Sequence, residues 1–276
     1  MMAVRDGTRA LAGVGLFCLL TTLSSVAMGE TVLITGANSG IGLEFTKQYA
    51  ALGWNVIATH RRSEEPETLA AVRSEHANVR IERMDVTSLE EVRALAEKLR
   101  DVPIDVLLNN AGVYNDRGAC TEDDCAGDWT TQDFGKLRYA LFDTIMAVNV
   151  RGPLMVSEAF VDHVAASKLK MIVAIGSITG SVTEPFGTEA RSFFYRTSKA
   201  ALNREMQLLT LAVAERGITV LILHPGTVAT ERQAAFDVPG SIEPEVSVSG
   251  MIDVIHHATF ADSGRFIQYD GTEAPW

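Results

Sequence analysis

From Thr31 onward the chain alternates between short apolar runs and longer stretches whose apolar positions recur every three or four residues. The short runs are "TVLIT" (31–35), "NVIAT" (55–59), "VRIERMDV" (79–86), "IDVLLNN" (104–110), "KMIVAIGS" (170–177), "ITVLILHP" (218–225) and "RFIQYD" (265–270). The stretches of helical period fall at 41–52, 64–75, 88–100, 134–166, 194–216 and 244–259. Continuous apolar runs of strand length belong to strands buried on both sides, and the intervening helices supply the cover. The pattern predicts an α/β fold: one domain over 30–276 with a doubly wound, parallel, seven-stranded sheet and helices on both faces. Ligands of such sheets sit at the carboxyl ends of the strands, so the loops that follow the strands are where chemistry is expected.

The first 29 residues depart from this alternation. "MMAVRDGTRA" carries two arginines and one aspartate, and "LAGVGLFCLLTTLSSVAMG" (11–29) carries no charge. A basic start, an apolar run and small residues such as Ser25 and Ala27 have the shape of a signal peptide. The run is also near the length of a membrane anchor, which would associate the protein with a membrane through residues 10–29. These readings predict an exported or membrane-associated protein. Alternatively "MGETVLITGA" is a normal domain start, translation begins at Met28, and the protein is cytoplasmic.

Composition narrows the class. At 47% hydrophobic and 21% charged residues the chain is that of a folded protein. A net charge of −11 argues against nucleic acid as a partner, because phosphate backbones need a basic face. A small anion held at a local site is compatible with it. Cys120 and Cys125 lie five apart in the polar stretch "YNDRGACTEDDCAGDWTTQDFG". They suit either a small disulfide in an oxidising compartment or two free thiols. No second Cys or His pair accompanies them, so no metal site is expected.

The first strand runs into "GANSGIG", residues Gly36, Ala37, Asn38, Ser39, Gly40, Ile41 and Gly42, and then into a helix. Glycine permits the tight turn and close approach of phosphate, and the backbone N–H groups at the helix start can receive a pyrophosphate. This G-x-x-x-G-x-G spacing resembles that of the short-chain dehydrogenase/reductase family. Other motifs match that family in order: "NNAG" (109–112), Asn149 in "MAVNVRGPL", Ser177 in "IVAIGSITG", Tyr195 and Lys199 in "YRTSK", and "HPGTVAT" (224–230). The resemblance spans nearly all of 31–276. "YRTSKAALN" and the ending "GRFIQYDGTEAPW" are most similar to the branch with C-factor and the Sniffer-type carbonyl reductases.

Reducing a carbonyl needs a hydride on carbon and a proton on oxygen. A free phenol, with a pKa of about 10, is a poor acid–base group at neutral pH, and a nearby ammonium favours its ionised form. Four residues apart on a helix, Tyr195 and Lys199 share one face. The expectation is that Tyr195 is the general acid/base and that Lys199 lowers its pKa. By resemblance, Lys199 also holds the nicotinamide ribose, Ser177 orients the substrate oxygen, and Asn149 holds a water in a proton relay. Eighteen positions separate Ser177 from Tyr195, longer than is usual in the family. The excess falls in "SVTEPFGTEARSF" and leaves Ser181 as a second candidate for the serine role.

The second strand ends at His60, followed by Arg61 and Arg62, with no carboxylate before Glu64. An acidic residue there would hold a ribose 2′-OH, whereas arginine suits a 2′-phosphate, so NADP(H) is expected over NAD(H). The resemblance implies further cofactor contacts. Asp85 and Val86 would meet the adenine, Asn109, Ala111 and Gly112 would line the cleft, and Pro225, Gly226, Val228 and Thr230 would meet the nicotinamide. The implied partner is a small carbonyl or alcohol substrate. By analogy with the family, a homodimer or homotetramer pairs through helices 134–166 and 194–216.

Overall fold

The computed structural model describes residues 1–3, 29–114, 129–183, 191–230 and 240–276. Most of the predicted leader or anchor, Met28 as a start, and Cys120 with Cys125 lie outside the described residues. Seven strands form one parallel sheet: β1 (Thr31–Ile34), β2 (Asn55–His60), β3 (Val79–Arg83), β4 (Val106–Asn109), β5 (Met171–Ile175), β6 (Thr219–His224) and β7 (Phe266–Gln268). Their order is β3-β2-β1-β4-β5-β6-β7, so the sheet is built outward in both directions from β1 and β4. The order reverses between those two strands, which opens a crevice at their carboxyl ends.

Every residue of β1, β4, β5 and β6 is buried, as continuous apolar runs predict. Alternation within each strand then divides the core in two. Val32, Ile34, Val106, Leu108, Leu221 and Leu223 face one side, where Phe45 and Tyr49 of α1 (Gly40–Ala51) and Val248, Met251 and Ile252 of α7 (Pro244–His257) cover them. The helix α2 (Glu67–Glu75) contributes Leu69 and Val72 to the same layer. Leu33, Leu107, Ile172, Val220 and Ile222 face the other side. There α3 (Leu89–Lys98) supplies Val92 and Leu95, α5 (Gly152–Ala165) Val156 and Phe160, and α6 (Phe193–Val213) Leu202 and Met206. Phe160 has no exposed surface, and truncating such a residue to Ala costs about 3–5 kcal/mol. No helix among the described residues is long and apolar enough to cross a membrane.

The single helix expected over 134–166 is two helices. α4 (Tyr139–Met146) begins five residues late, because Gly135 stands at φ 90° and Arg138 is extended. A π-turn at Ala147–Arg151 then separates α4 from α5. Pro153, with no N–H, cannot donate to the carbonyl four residues back, that of Asn149, and this loosens the helical register there. The turn carries Asn149, which is completely buried.

Candidate active site

The glycine turn joins β1 to α1 at the β1/β4 crevice. Gly36 stands at φ 65°, and a Cβ there would lie 2.9 Å from Cα of Ala111. A Cβ on Gly42 would lie 2.4 Å from both the Gly36 carbonyl and Nδ2 of Asn110. Ser39 precedes α1 without capping it through its side chain, and the first turn holds no acidic residue. The helix N-terminus therefore keeps its unpaired N–H groups and partial positive charge, which suit a pyrophosphate. The close approach of Gly36 to Ala111 leaves no room for side chains in this cradle. These residues fit a dinucleotide. Asn38 and Ile41 lie in the same turn, where the carbonyl of Asn38 accepts from Thr68 Oγ1 at 2.8 Å.

Sequence-distant cofactor candidates meet here. Thr230 lies over Gly40, its Cγ2 3.4 Å from where a Cβ of Gly40 would be. Gly226 turns the chain at φ 80° against Ile242, and Val228 pairs with the same residue. The Pro225 carbonyl accepts from Ser247 at 2.6 Å. On the other side of the crevice Asn109 is buried and donates to Ser157 at 3.1 Å. Its Oδ1 has no hydrogen-bond partner among the described residues. His60 ends β2, and burial lowers its pKa; Arg61 beside it is exposed. Asp85 and Val86 lie past edge strand β3, remote from the phenol of Tyr195 in the sheet order. Oδ1 of Asp85 is engaged by the N–H and hydroxyl of Thr87, both at 2.8 Å, and Val86 is buried against Gly152.

Ser177, Tyr195 and Lys199 come together at the end of β5. Ser177 acts on the Tyr195 phenol, favouring its ionised form. Ser177 Oγ also pairs with Thr179 Oγ1 at 2.8 Å and accepts from Thr179 N–H at 3.2 Å. Gly180 is what lets this turn sit on α6: a Cβ there would lie 2.5 Å from the backbone of Lys199 and Ala200. Lys199 is buried, and its Nζ donates to the Ile175 carbonyl at 2.8 Å. Burial lowers its pKa to about 8. Ser181, the second serine candidate, instead donates to the Trp276 main-chain oxygen at 2.6 Å.

One expectation is corrected here. The Tyr195 phenol is not lowered in this structure. Burial raises its pKa, Tyr114 beside it acts the same way, and only Ser177 opposes them. The Lys199 ammonium is 5.7 Å from the Tyr195 ring centre and engaged at Ile175, too weakly coupled to overcome desolvation. The side-chain amide of Asn149 is engaged with the chain. It accepts from Val113 N–H at 2.8 Å, donates to the Val113 carbonyl at 2.8 Å, and donates to Ser198 at 3.0 Å.

Several residues of the site carry no sequence signal. Thr35 Oγ1 accepts from the N–H groups of Asn110 and Ala111, both at 3.0 Å. Asn110 Nδ2 returns a bond to the Thr35 carbonyl at 2.9 Å, so β1 and β4 are laced at the crevice floor. Gln132, 1% exposed, accepts from the Tyr195 N–H at 2.9 Å and donates to the Tyr114 carbonyl at 2.5 Å. His224 ends β6 buried, and burial together with the Lys199 charge lowers its pKa to about 4. No cluster of metal-binding side chains occurs among the described residues.

Comparison with known proteins bears on the family and the fold. A family model described as short chain dehydrogenase matches residues 30–238. A 1-hydroxy-2-glutathionyl-2-methyl-3-butene dehydrogenase from Rhodococcus sp. is 32% identical over 257 residues, 90% of this chain and all of the relative. C-signal of Myxococcus xanthus is 32% identical over 185 residues, 67% of this chain and all of the relative. The NADPH-bound carbonyl reductase from chicken fatty liver superposes with a TM-score of 0.77 at 28% identity, covering 90% of this chain and 99% of the other.

Proposed function

Because the chain belongs to the short-chain dehydrogenase family, we infer that it is an NADPH-dependent reductase of an aldehyde or ketone, able to oxidise the matching alcohol in reverse. The observation that carries this reading is the meeting of Ser177, Tyr195 and buried Lys199 at the end of β5, with the Lys199 ammonium 5.7 Å from the Tyr195 ring centre. NADPH, when bound, supplies the hydride. The Ser177 hydroxyl orients the substrate oxygen and meets the charge that grows on it. Tyr195 donates the proton: burial keeps the phenol protonated at rest, and the nearby Lys199 charge favours the phenolate as it forms. Lys199, with a pKa of about 8, is mostly an ammonium at neutral pH; it holds the nicotinamide ribose and offsets the phenolate left behind. Asn149 holds the Val113 segment at the site and takes part in the proton relay through a bound water.

The glycine turn and α1 N-terminus would hold the pyrophosphate, and Arg61 the 2′-phosphate. The NADPH bound by the chicken reductase supports this choice of cofactor. The likeness to C-signal favours a second reading, a dinucleotide-binding signalling protein with little turnover. The test is to follow 340 nm absorbance of the full chain with NADPH or NADH over a panel of aldehydes and ketones, beside Tyr195→Phe. Turnover with NADPH that disappears in the variant is expected. Tight NADPH binding with no turnover on any carbonyl would favour the signalling reading.

A further inference from the structure

Tyr114, the last residue of "NNAGVY", follows β4 and lays its ring on that of Tyr195: the centroids are 4.4 Å apart at an interplanar angle of 60°. Two tethers fix it. Its phenol shares a hydrogen bond of 2.8 Å with Ser192 Oγ, and its carbonyl accepts from Gln132 Nε2 at 2.5 Å. Both tethers lead back to the start of α6. Ser192 is the residue before that helix, held at φ 56° and bonded through its N–H to Asp133 at 3.3 Å. Gln132 also accepts from the N–H of Tyr195 itself. The ring, the turn before α4 and the first turn of α6 thus close a loop of contacts around the reacting phenol. Gly112, two residues earlier, also borders the site: a Cβ there would fall 3.5 Å from Asn149 Oδ1 and 3.9 Å from Lys199 Nζ. A carbonyl that reaches the Tyr195 phenol has to meet the Tyr114 ring packed against it.

We propose that Tyr114 is a specificity-determining residue of this site: its tethered ring is the fixed wall that limits the group attached to the substrate carbonyl. The inference rests on the reductase reading above. The hydroxyl explains why the wall is Tyr rather than Phe, since it anchors the far edge of the ring to Ser192. The ring also takes part in the electrostatics of the reacting group, since Tyr114 helps raise the Tyr195 pKa.

The experiment compares wild type, Tyr114→Ala, Tyr114→Leu and Tyr114→Phe in the full chain, with butanal and acetophenone as probes. Circular dichroism and thermal unfolding show which variants are folded; Leu keeps part of the ring volume in case Ala does not fold. The ratio of kcat/KM for acetophenone over butanal is expected to rise at least tenfold in the Ala or Leu variant. In Tyr114→Phe, which keeps the ring, the ratio is expected to stay within about threefold of wild type. A ratio that stays flat in a folded Ala or Leu variant would overturn the proposal. If wild type turns over neither probe nor any carbonyl of the panel above, the reductase reading fails by itself. The wall is then read by calorimetry of 1-phenylethanol and butan-1-ol binding to the NADP-loaded protein, where an unchanged affinity ratio in the same variants overturns it.

Discussion

The Lys199 ammonium stands 5.7 Å from the centre of the Tyr195 ring and gives a hydrogen bond of 2.8 Å to the Ile175 carbonyl. It is anchored to the end of β5, and only its charge reaches the phenol. Burial lowers its pKa from 10.5 to about 8, so the folded protein binds the proton less well than the unfolded chain. The resulting stability cost is full below about pH 8 and is relieved as pH rises from about 8 towards 10.5. It amounts to about 3 kcal/mol at most. Lys199→Met removes that cost and also removes a bond worth about 1 kcal/mol. The variant's stability relative to wild type should therefore be greatest at pH 7 and fall by pH 10 in urea unfolding. A difference that is flat over that range would refute the lowered pKa. In wild type, kcat should decline above about pH 8 as the ammonium is lost.

Asn149 makes a different kind of commitment. Its amide pairs with both main-chain groups of Val113 and with Ser198, and the residue is completely buried. Removing the side chain leaves a main-chain donor and acceptor without partners, at about 1–3 kcal/mol each. Asn149→Ala should lose roughly 3 kcal/mol in denaturant unfolding. Asn149→Asp should not rescue it, because a carboxylate cannot donate to the Val113 carbonyl. A relay role without the clamp predicts lost activity at unchanged stability, so the two measurements separate the roles.

The glycines of the chain divide by what surrounds them. Gly42 has the Gly36 carbonyl and Asn110 Nδ2 2.4 Å from the position of a Cβ. Gly53 stands at φ 83° with nothing within 4 Å. Gly42→Ala should push the phosphate turn away from the β1–β4 lacing and weaken NADPH binding at least a hundredfold, read by fluorescence titration. Gly53→Ala meets only backbone strain, about 1 kcal/mol, and should bind NADPH as wild type does. Equal affinity in the two variants would count against the glycine turn as the cofactor site.

The sheet was legible because parallel strands buried on both faces have to be apolar throughout, and the chain writes this as seven short runs. The glycine turn, and Tyr195 with Lys199, were legible because their spacing is local, a turn and one helical turn; Ser177 came from the resemblance to the family, at a strand end. Gln132 and Tyr114 were not. Each acts through one contact between parts of the chain distant in sequence, and such a contact leaves no period or spacing. The π-turn shows an intermediate case, since Pro153 marks the break but the 134–166 periodicity runs through it. The pKa of Tyr195 was misjudged for a related reason. The sequence shows that a lysine is near, but not that burial and Tyr114 act against it.

The choice of cofactor turns on the end of β2. His60 is buried there with a lowered pKa and its Nδ1 unpartnered among the described residues, so it offers an imidazole but no negative charge. Arg61, the next residue, is exposed at the rim of the crevice. A guanidinium there binds a 2′-phosphate by charge-assisted hydrogen bonds worth about 1.5–3 kcal/mol, and gains little from a ribose hydroxyl. Arg61→Ala should therefore weaken NADPH binding roughly tenfold to a hundredfold and change NADH binding by less than about threefold. The measurement is paired fluorescence titration of both dinucleotides, repeated at high salt. Added salt should shrink the wild-type preference for NADPH and leave the variant nearly unaffected, because screening acts on the charge pair that the variant lacks. Equal losses for both dinucleotides would instead assign Arg61 to the shape of the turn and remove the basis for NADPH preference.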